Sequence, residues 1–357
     1  MLATLFNRVA RPCRPASRPS AFLTRLIVPL FASCMLACAA AAQPAVHELD
    51  IADYRAYLPE DHPARQGMRR FAQLVEATSG GTLRVRVRAD ALPGSPAKQL
   101  AALRAGAAGA PALMLVAGTG LAGLARQFEL LDLPFLVRDE QQADALLDGP
   151  FGAALLARLA PAGLVGLGWW ENGFRQITSS GAPIRRAEDL RGLKLRVIGE
   201  PVFLDAARAM GADPVPLPFG ELYEALKTRR VDAQDNFTSQ ILVGRLHEVQ
   251  SALTLTNHSY SALVLVANAA AWNSLSPQQQ RSVQAAALEA GQFQRRVARE
   301  DARRAREKLE QLGMTVNTLA PSAVEQLRAL TAPMRQRYFS QHQVALWQLY
   351  QQQAGAQ

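Results

Sequence analysis

Arg196 lies in the segment Leu193-Lys-Leu-Arg-Val-Ile198, where Leu193, Leu195 and Val197 alternate with Lys194, Arg196 and Ile198. Alternation with period 2 reads as a half-buried strand. A guanidinium in the middle of such a strand is costly unless it is paired. Its partner is either a carboxylate of the protein, giving a structural ion pair, or an anionic ligand. The planar fork of arginine matches a carboxylate through two parallel hydrogen bonds, which lysine cannot offer. Other candidate chemistry is weaker. Gly118-Thr-Gly-Leu-Ala-Gly123 fits a GxGxxG dinucleotide fingerprint after a predicted strand, with Asp139 near the ribose-binding spacing. That strand is not the first of its domain, so a glycine-rich turn is the better reading. His247-Glu248 starts an HExxH zinc motif, but Ser251 stands where the second histidine belongs. The five histidines, His47, His62, His247, His258 and His342, show no metal-ligand spacing. Neither a GxSxG elbow nor a Walker loop occurs. Asn236-Phe-Thr238 and Asn257-His-Ser259 are glycosylation sequons by pattern only. The expectation is a protein with no cofactor, no metal site and no assembled catalytic site.

The N-terminus reads as an export signal. Residues 1–25 are basic and rich in Pro and Ser, Leu26 to Ala39 is apolar, and Ala40-Ala41-Ala42-Gln43 offers small residues before a cut at Gln43. The apolar run is about 14 residues, short for a bilayer span. A lone membrane anchor and a lipoprotein signal are the competing readings, the latter with Met35-Leu36-Ala37-Cys38 as an imperfect lipobox and Cys38 as the acylated residue. All three cysteines, Cys13, Cys34 and Cys38, fall inside the segment to be removed. The mature chain then has no disulfide, no Cys nucleophile and no Cys-ligated metal, and suits an oxidising compartment. Residues 1–42 also hold five arginines and no acid, so 34 basic residues face 30 acidic ones in the remainder. The formal charge of +9 therefore gives no support for nucleic-acid binding.

The remaining pattern alternates strands and helices. Strands are predicted at His47–Ala52, Thr82–Arg88, Leu113–Val116, Gly163–Trp170, Leu193–Ile198, Val215–Leu217 and Val231–Gln234. Helices are predicted at Pro63–Ala77, Ala97–Ala105, Gln141–Leu159, Val202–Met210 and Glu221–Arg229, with Leu130–Leu136 as an apolar connector. Such alternation argues for an α/β protein with parallel sheets. Ser276-Pro277-Gln278-Gln279 is a helix start with N-cap, Pro in the first turn and a capping-box Gln. No strong breaker follows before Gly313, so residues 277–312 would span about 54 Å. That length suits a spine along two domains, or else a charged surface helix of one.

Several segments in series are distinctive. They are Leu131-Asp-Leu-Pro-Phe135, Trp169-Trp-Glu-Asn-Gly-Phe-Arg175, Asp189-Leu-Arg-Gly-Leu-Lys-Leu-Arg-Val197, Gly211-Ala-Asp-Pro-Val-Pro-Leu-Pro-Phe219, Gly220-Glu-Leu-Tyr-Glu-Ala-Leu226, Val231-Asp-Ala-Gln-Asp-Asn236, Leu253-Thr-Leu-Thr-Asn-His-Ser-Tyr260 and Trp272-Asn-Ser-Leu-Ser276. Their order and spacing resemble the DctP-type solute-binding proteins of tripartite ATP-independent periplasmic (TRAP) transporters, over about residues 46–340. The resemblance implies a two-lobed periplasmic-binding-protein-like fold with interlobe crossovers and a long helix spanning both lobes. It implies a periplasmic receptor, not an enzyme, that closes on a small organic acid and delivers it to TRAP membrane subunits. By motif, Arg196 matches the arginine that binds the substrate carboxylate, Arg175 a second pocket arginine, Asn236 a pocket amide and Phe219 an aromatic wall. Trp169 and Trp170 face opposite ways on a strand, so at most one lines the cleft, and Trp170 is taken as that residue. The sequence departs from the family at Gly94-Ser95-Pro96-Ala97-Lys98, where Lys98 replaces an acid that often faces the pocket.

The expected division is a signal peptide at 1–42, lobe one at 46–172 with 262–300, and lobe two at 173–261 with 301–357. A monomer is expected. The competing function is an exported enzyme acting on a small carboxylate, which would show turnover; a structural or adaptor protein would bind no small ligand.

Overall fold

The computed structural model describes residues 46–354 apart from 56, 57, 91, 342 and 343. The leader reading for residues 1–42, the cut before Gln43, the three cysteines and His342 lie outside the described residues.

Nine strands form one mixed sheet. They are β1 (His47–Asp53), β2 (Leu83–Val87), β3 (Leu113–Ala117), β4 (Leu164–Ser179), β5 (Lys194–Val197), β6 (Asp213–Pro216), β7 (Ala233–Asn236), β8 (Ala252–Asn268) and β9 (Thr315–Thr318). The spatial order is β2-β1-β3-β8-β4-β7-β5-β6, with β9 paired to β8. The β1–β2, β1–β3, β5–β6, β5–β7 and β8–β9 pairs are parallel. The β3–β8, β4–β8 and β4–β7 pairs are antiparallel. The expectation of parallel sheets is thus corrected at the centre. Two long strands, β4 and β8, run antiparallel there and join a parallel group at each end. The sequence reading ended β4 at Trp170, whereas the strand runs on to Ser179. It bends there, with register shifts between Glu171 and Gly173 and again between Arg175 and Ile177. Gly173 takes a φ of 104°, which favours glycine. At the same bend the Gln294 side chain bonds both backbone groups of Glu171, its Oε1 accepting from the N–H and its Nε2 donating to the carbonyl, each at 2.8 Å.

The long helix Pro277–Gln311 forms as its start signal predicts. Ser276 Oγ accepts from the Gln279 N–H at 3.3 Å, and Gln279 Oε1 accepts from the Ser276 N–H at 3.0 Å. Its 35 residues reach about 52 Å at ~1.5 Å per residue. Val283, Ala286, Ala287 and Ala290 pack with Ile51, Phe71, Leu115 and Leu265 under the β1–β3 end of the sheet. Leu309 packs with Leu217, Leu222, Leu226 and Leu253 under the other end. One helix therefore serves as a spine for both apolar clusters. The helix predicted at Gln141–Leu159 is instead broken into Glu140–Leu147, Pro150–Leu156 and a 3-10 turn at Ala157–Ala162. Pro150 has no N–H to give an earlier turn, so it starts a new helix.

Two sequence motifs find structural roles. Gly118–Leu121 is a single helical turn after β3, not a phosphate loop. Asp139, the would-be ribose ligand, caps the helix Glu140–Leu147, its Oδ1 accepting from the Gln142 N–H at 2.7 Å. Glu248 of the partial zinc motif is held by Arg245 and by the Tyr223 hydroxyl. Among the described residues there is no cluster of three or more His, Cys, Asp or Glu able to hold a metal. No helix among them is long and apolar enough to cross a membrane.

Candidate functional site

The carboxyl ends of β1, β5 and β7 converge on one cavity of about 440 Å³. Cavities at this edge of an α/β sheet are the usual ligand positions, and the volume suits a small molecule. Tyr54 and Arg55 follow β1, Arg175 comes from β4, Arg196 from β5 with Ile198 just after it, and Asn236 from the last position of β7. Gly94, Pro96 and Gln99 come from the loop and first turn of the helix Pro96–Ala105. Phe219, Phe237 and Gln240 complete the wall. Two larger surface hollows lie elsewhere, one of about 680 Å³ beside Arg69 and Arg296 and one of about 1000 Å³ beside Arg185, Arg186 and Arg229. Those arginines are exposed and already solvated, except where ion-paired, as Arg69 is with Glu60.

Three guanidiniums meet the cavity, and they differ in how they are paired. Arg55 is locked to Asp53, with Nε on Oδ1 at 2.9 Å and Nη2 on Oδ2 at 2.8 Å, while Nη1 donates to Asn172 Oδ1 at 2.9 Å. Arg175 donates through Nε to Asp235 Oδ2 and through Nη2 to the Asp235 carbonyl at 2.7 Å. Its guanidinium lies over the rings of Phe203 and Phe237, about 5 Å from each centroid. Burial alone would push the Asp235 carboxyl up, but Arg175 and His258 outweigh it and hold it well below the usual carboxylate range. His258 in turn sits between Asp235 and the Thr256 hydroxyl.

Arg196 is different. It is 3% exposed, yet no carboxylate pairs with it among the described residues. Its Nε and Nη2 both donate to the Leu217 carbonyl, at 2.9 and 2.6 Å, which leaves Nη1 without an acceptor among the described residues. Burial, and next to it the charge of Arg175, draw its pKa down to about 10, although Asp235 works the other way. It remains a cation at neutral pH. The bond to Leu217 fixes the plane of the fork, so the free edge is presented in one orientation. Asn236 stands near by through the pairing of β5 with β7. Its Oδ1 accepts from the Phe237 N–H at 3.1 Å, leaving the amide N–H groups as donors without an acceptor among the described residues. A cation and an amide donor at one wall are what a carboxylate requires.

Of the residues singled out from sequence, Arg196, Arg175, Asn236 and Phe219 come together at this cavity. Trp170 does not, and that assignment is corrected. It is fully buried among Met68, Phe71, Ala286 and Ala290, between two helices that approach it through glycines. A Cβ at Gly67 would lie 2.5 Å from the Trp170 ring, and one at Gly291 would lie 3.0 Å from it. Trp169 points to the opposite side of the sheet against Phe128, so neither tryptophan lines the cavity. Arg175, which would be a solvated loop charge on local pattern alone, is instead buried on the extension of β4. Lys98 is exposed and lies outside the cavity wall, and its neighbour Gln99 faces it instead. Sequence reasoning missed Tyr54, Arg55, Gln99, Phe237 and Gln240. A signal existed for Arg55, since Asp53 and Arg55 close the first strand two residues apart. For Gln99 the only hint was the departure from the family pattern beside it.

The chain is similar to known proteins over most of its length. The chain is 36% identical over 250 residues to the 2,3-diketo-L-gulonate-binding periplasmic protein YiaO of Escherichia coli, covering 70% of this chain and 75% of that one. It is 28% identical over 295 residues to the C4-dicarboxylate-binding periplasmic protein DctP of Rhodobacter capsulatus, covering 82% and 87%. Among solved structures, the sugar acid binding protein DctPAm of Advenella mimigardefordensis in complex with galactonate superposes with a TM-score of 0.78 at 31% identity, covering 88% of this chain and all of that one. The model of the bacterial extracellular solute-binding proteins of family 7, DctP, matches residues 55–342, so with its two-lobed α/β fold and its arginine-lined cavity the chain belongs to that family of transport receptors.

Proposed function

We propose that the protein is an extracytoplasmic receptor that binds a small organic carboxylate between its lobes and delivers it to the membrane subunits of a TRAP transporter. The observation that carries this is Arg196, a buried guanidinium oriented by Leu217 with no carboxylate partner among the described residues. A structural ion pair would have supplied one, as it does for Arg55 and Arg175. An anionic ligand completes the pairing that burial demands. Arg196 and Asn236 hold the carboxylate, Arg175 and Phe219 shape the cavity around the rest of the ligand, and Gln99 and Arg55 contribute from the other lobe. Relatives named for a C4-dicarboxylate, for 2,3-diketo-L-gulonate and for galactonate all carry carboxylates.

The lobes are 46–172 with 262–300, and 173–261 with 301–341. Val344–Ala354 goes with lobe one, because the Tyr350 hydroxyl donates to the Leu136 carbonyl at 2.8 Å and Gln353 Oε1 accepts from the Phe151 N–H at 2.8 Å. Residues 1–42 act as a cleaved signal peptide that delivers a monomer beginning at Gln43 to the periplasm, and intact mass of the exported protein checks this.

The deciding experiment is a thermal-shift screen of small organic acids on refolded, ligand-free protein. A ligand at 100 times its Kd adds about 2.7 kcal/mol of stability. Stabilisation by one acid, with one-to-one stoichiometry and the acid recovered unchanged, is the expected result. Consumption of the acid would establish an enzyme instead.

A further inference from the structure

Resting on the receptor reading above, we propose that Asn172, which does not itself line the cavity, is a positioning residue for ligand binding: it ties Tyr54 and Arg55 of the lobe-one wall to the bend of β4. Both wall residues lie on the short stretch after β1, and Asp53 orients Arg55 from two residues away. Such a local pair turns with its own loop and does not fix where that loop stands against the opposite wall. Asn172 supplies a link that reaches further. Its Oδ1 accepts from Arg55 Nη1 at 2.9 Å, across 117 positions of the chain. A guanidinium has no acceptor, so the oxygen is the atom that faces it and the amide orientation is set. The other side of the amide meets Tyr54. Burial raises the Tyr54 pKa, and the hydrogen bond with Asn172 works against that, as a bond donated to the phenol oxygen does. One amide thus serves both wall residues. An ionised Asp could accept from Arg55 but not donate to Tyr54, and a Leu could do neither.

The backbone that carries this amide is held on both sides. Gln294 of the long helix bonds the N–H and the carbonyl of Glu171, each at 2.8 Å, and Gly173 follows in the bend with a φ of 104°. Three residues beyond Asn172, Arg175 enters the same cavity from lobe two, locked to Asp235. Residues 172–175 of β4 therefore set one wall against the other: Asn172 holds Tyr54 and Arg55, and Arg175 brings its own guanidinium. A change of bend at this point moves the two walls relative to each other. Without the amide, Tyr54 and Arg55 keep their chemistry but lose their register against Arg175 and Arg196, and the ligand has to order them as it binds.

The test is a double-mutant cycle read by calorimetry, with D-galactonate, D-glucuronate and succinate as probes and the tightest of them on the wild type as reference. If none of the three binds, the best acid of the broader screen takes their place. Asn172→Leu keeps the volume, loses both hydrogen bonds and should weaken the reference acid about five- to tenfold. The background Tyr54→Phe/Arg55→Lys removes the phenol hydroxyl, and its lysine can meet Asp53 but has no fork to span to Asn172. There Asn172→Leu should cost no more than about twofold, because its effect passes through groups already removed. If that background binds too weakly to measure, Tyr54→Phe alone serves, and Asn172→Leu should cost less there than in the wild type. Ligand-free melting reports folding, and Asn172→Ala replaces the leucine variant if that one does not fold. Wild-type affinity in Asn172→Leu would overturn the proposal, and so would an equal loss in both backgrounds, which is the mark of a merely structural residue. Unfolding of both Asn172 variants would overturn it in the same way. Failure of every acid to bind the wild type would instead sink the receptor reading itself.

Discussion

Replacing Arg196 by Lys isolates the two-pronged contact from the charge. In the wild type, Leu217 takes two N–H donors of the guanidinium and so fixes which edge remains for the ligand. An ammonium is a point charge and cannot hold both sites with the same geometry. If it turns to the ligand, the buried Leu217 carbonyl loses its donors, at a cost of about 1–3 kcal/mol in stability. If it turns to Leu217, one hydrogen bond to the ligand carboxylate is lost. Such bonds to charged groups are worth about 1.5–3 kcal/mol, so affinity should fall roughly 10- to 150-fold. The site also depresses cations. Arg196 falls from 12.5 to about 10, chiefly through burial. A comparable fall places a lysine near ~8. Binding by Arg196→Lys should therefore weaken further as pH rises through about 8, where the lysine discharges, whereas the wild type keeps its cation. The assay is calorimetric affinity for the best screened acid between pH 6 and 9, with ligand-free melting as control. Wild-type affinity and a flat pH profile in Arg196→Lys would refute the carboxylate-anchor role, as would a variant that only unfolds while Arg196→Met folds and binds normally.

Asp132 gives a pH prediction on stability. It is 2% exposed, its Oδ1 accepts from the Ser261 hydroxyl at 3.0 Å and its Oδ2 has no partner among the described residues. Burial pushes its pKa up from 3.8 to about 7, with the charges of Asp235 and Glu129 acting in the same direction. Its contribution to stability is therefore full below the unfolded value near 4 and declines as pH rises to about 7, by up to ~4 kcal/mol. Denaturant midpoints at pH 5 and pH 7.5 should show Asp132→Asn losing this slope, and an identical slope in the variant would contradict it. Gly291→Ala should destabilise the protein although alanine favours helices by ~1 kcal/mol. The new Cβ would stand 2.8 Å from the Trp169 carbonyl, a backbone atom that cannot turn away. Overpacking of this kind costs about 1–3 kcal/mol, so the net loss should appear as a lower melting temperature.

Local chemistry made much of the molecule legible in the sequence. Ser276, Pro277 and Gln279 announce the long helix because capping involves only neighbours in the chain. The alternation around Arg196 places it on a strand opposite Leu195 and Val197 for the same reason. The order of motifs then gave the family, and with it four of the wall residues. Sequence alone left open whether Arg196 meets a protein carboxylate or a ligand. Only the tertiary structure shows that no carboxylate among the described residues pairs with Arg196, because Asp235 reaches Arg175 from another strand, a pairing that local pattern does not reveal. The mixed sheet was hidden likewise. Antiparallel pairing of β4 with β8 joins residues about 90 positions apart, and periodicity carries no information on which strand lies beside which. Trp170 was misplaced because alternation tells that two faces exist, not which is covered. The glycines at 67 and 291, distant in sequence, bring two helices onto one face and bury it. The bond from Arg55 to Asn172 was invisible likewise, since it joins residues 117 positions apart and a side chain's partner is defined by what surrounds it in space and not by its neighbours along the chain.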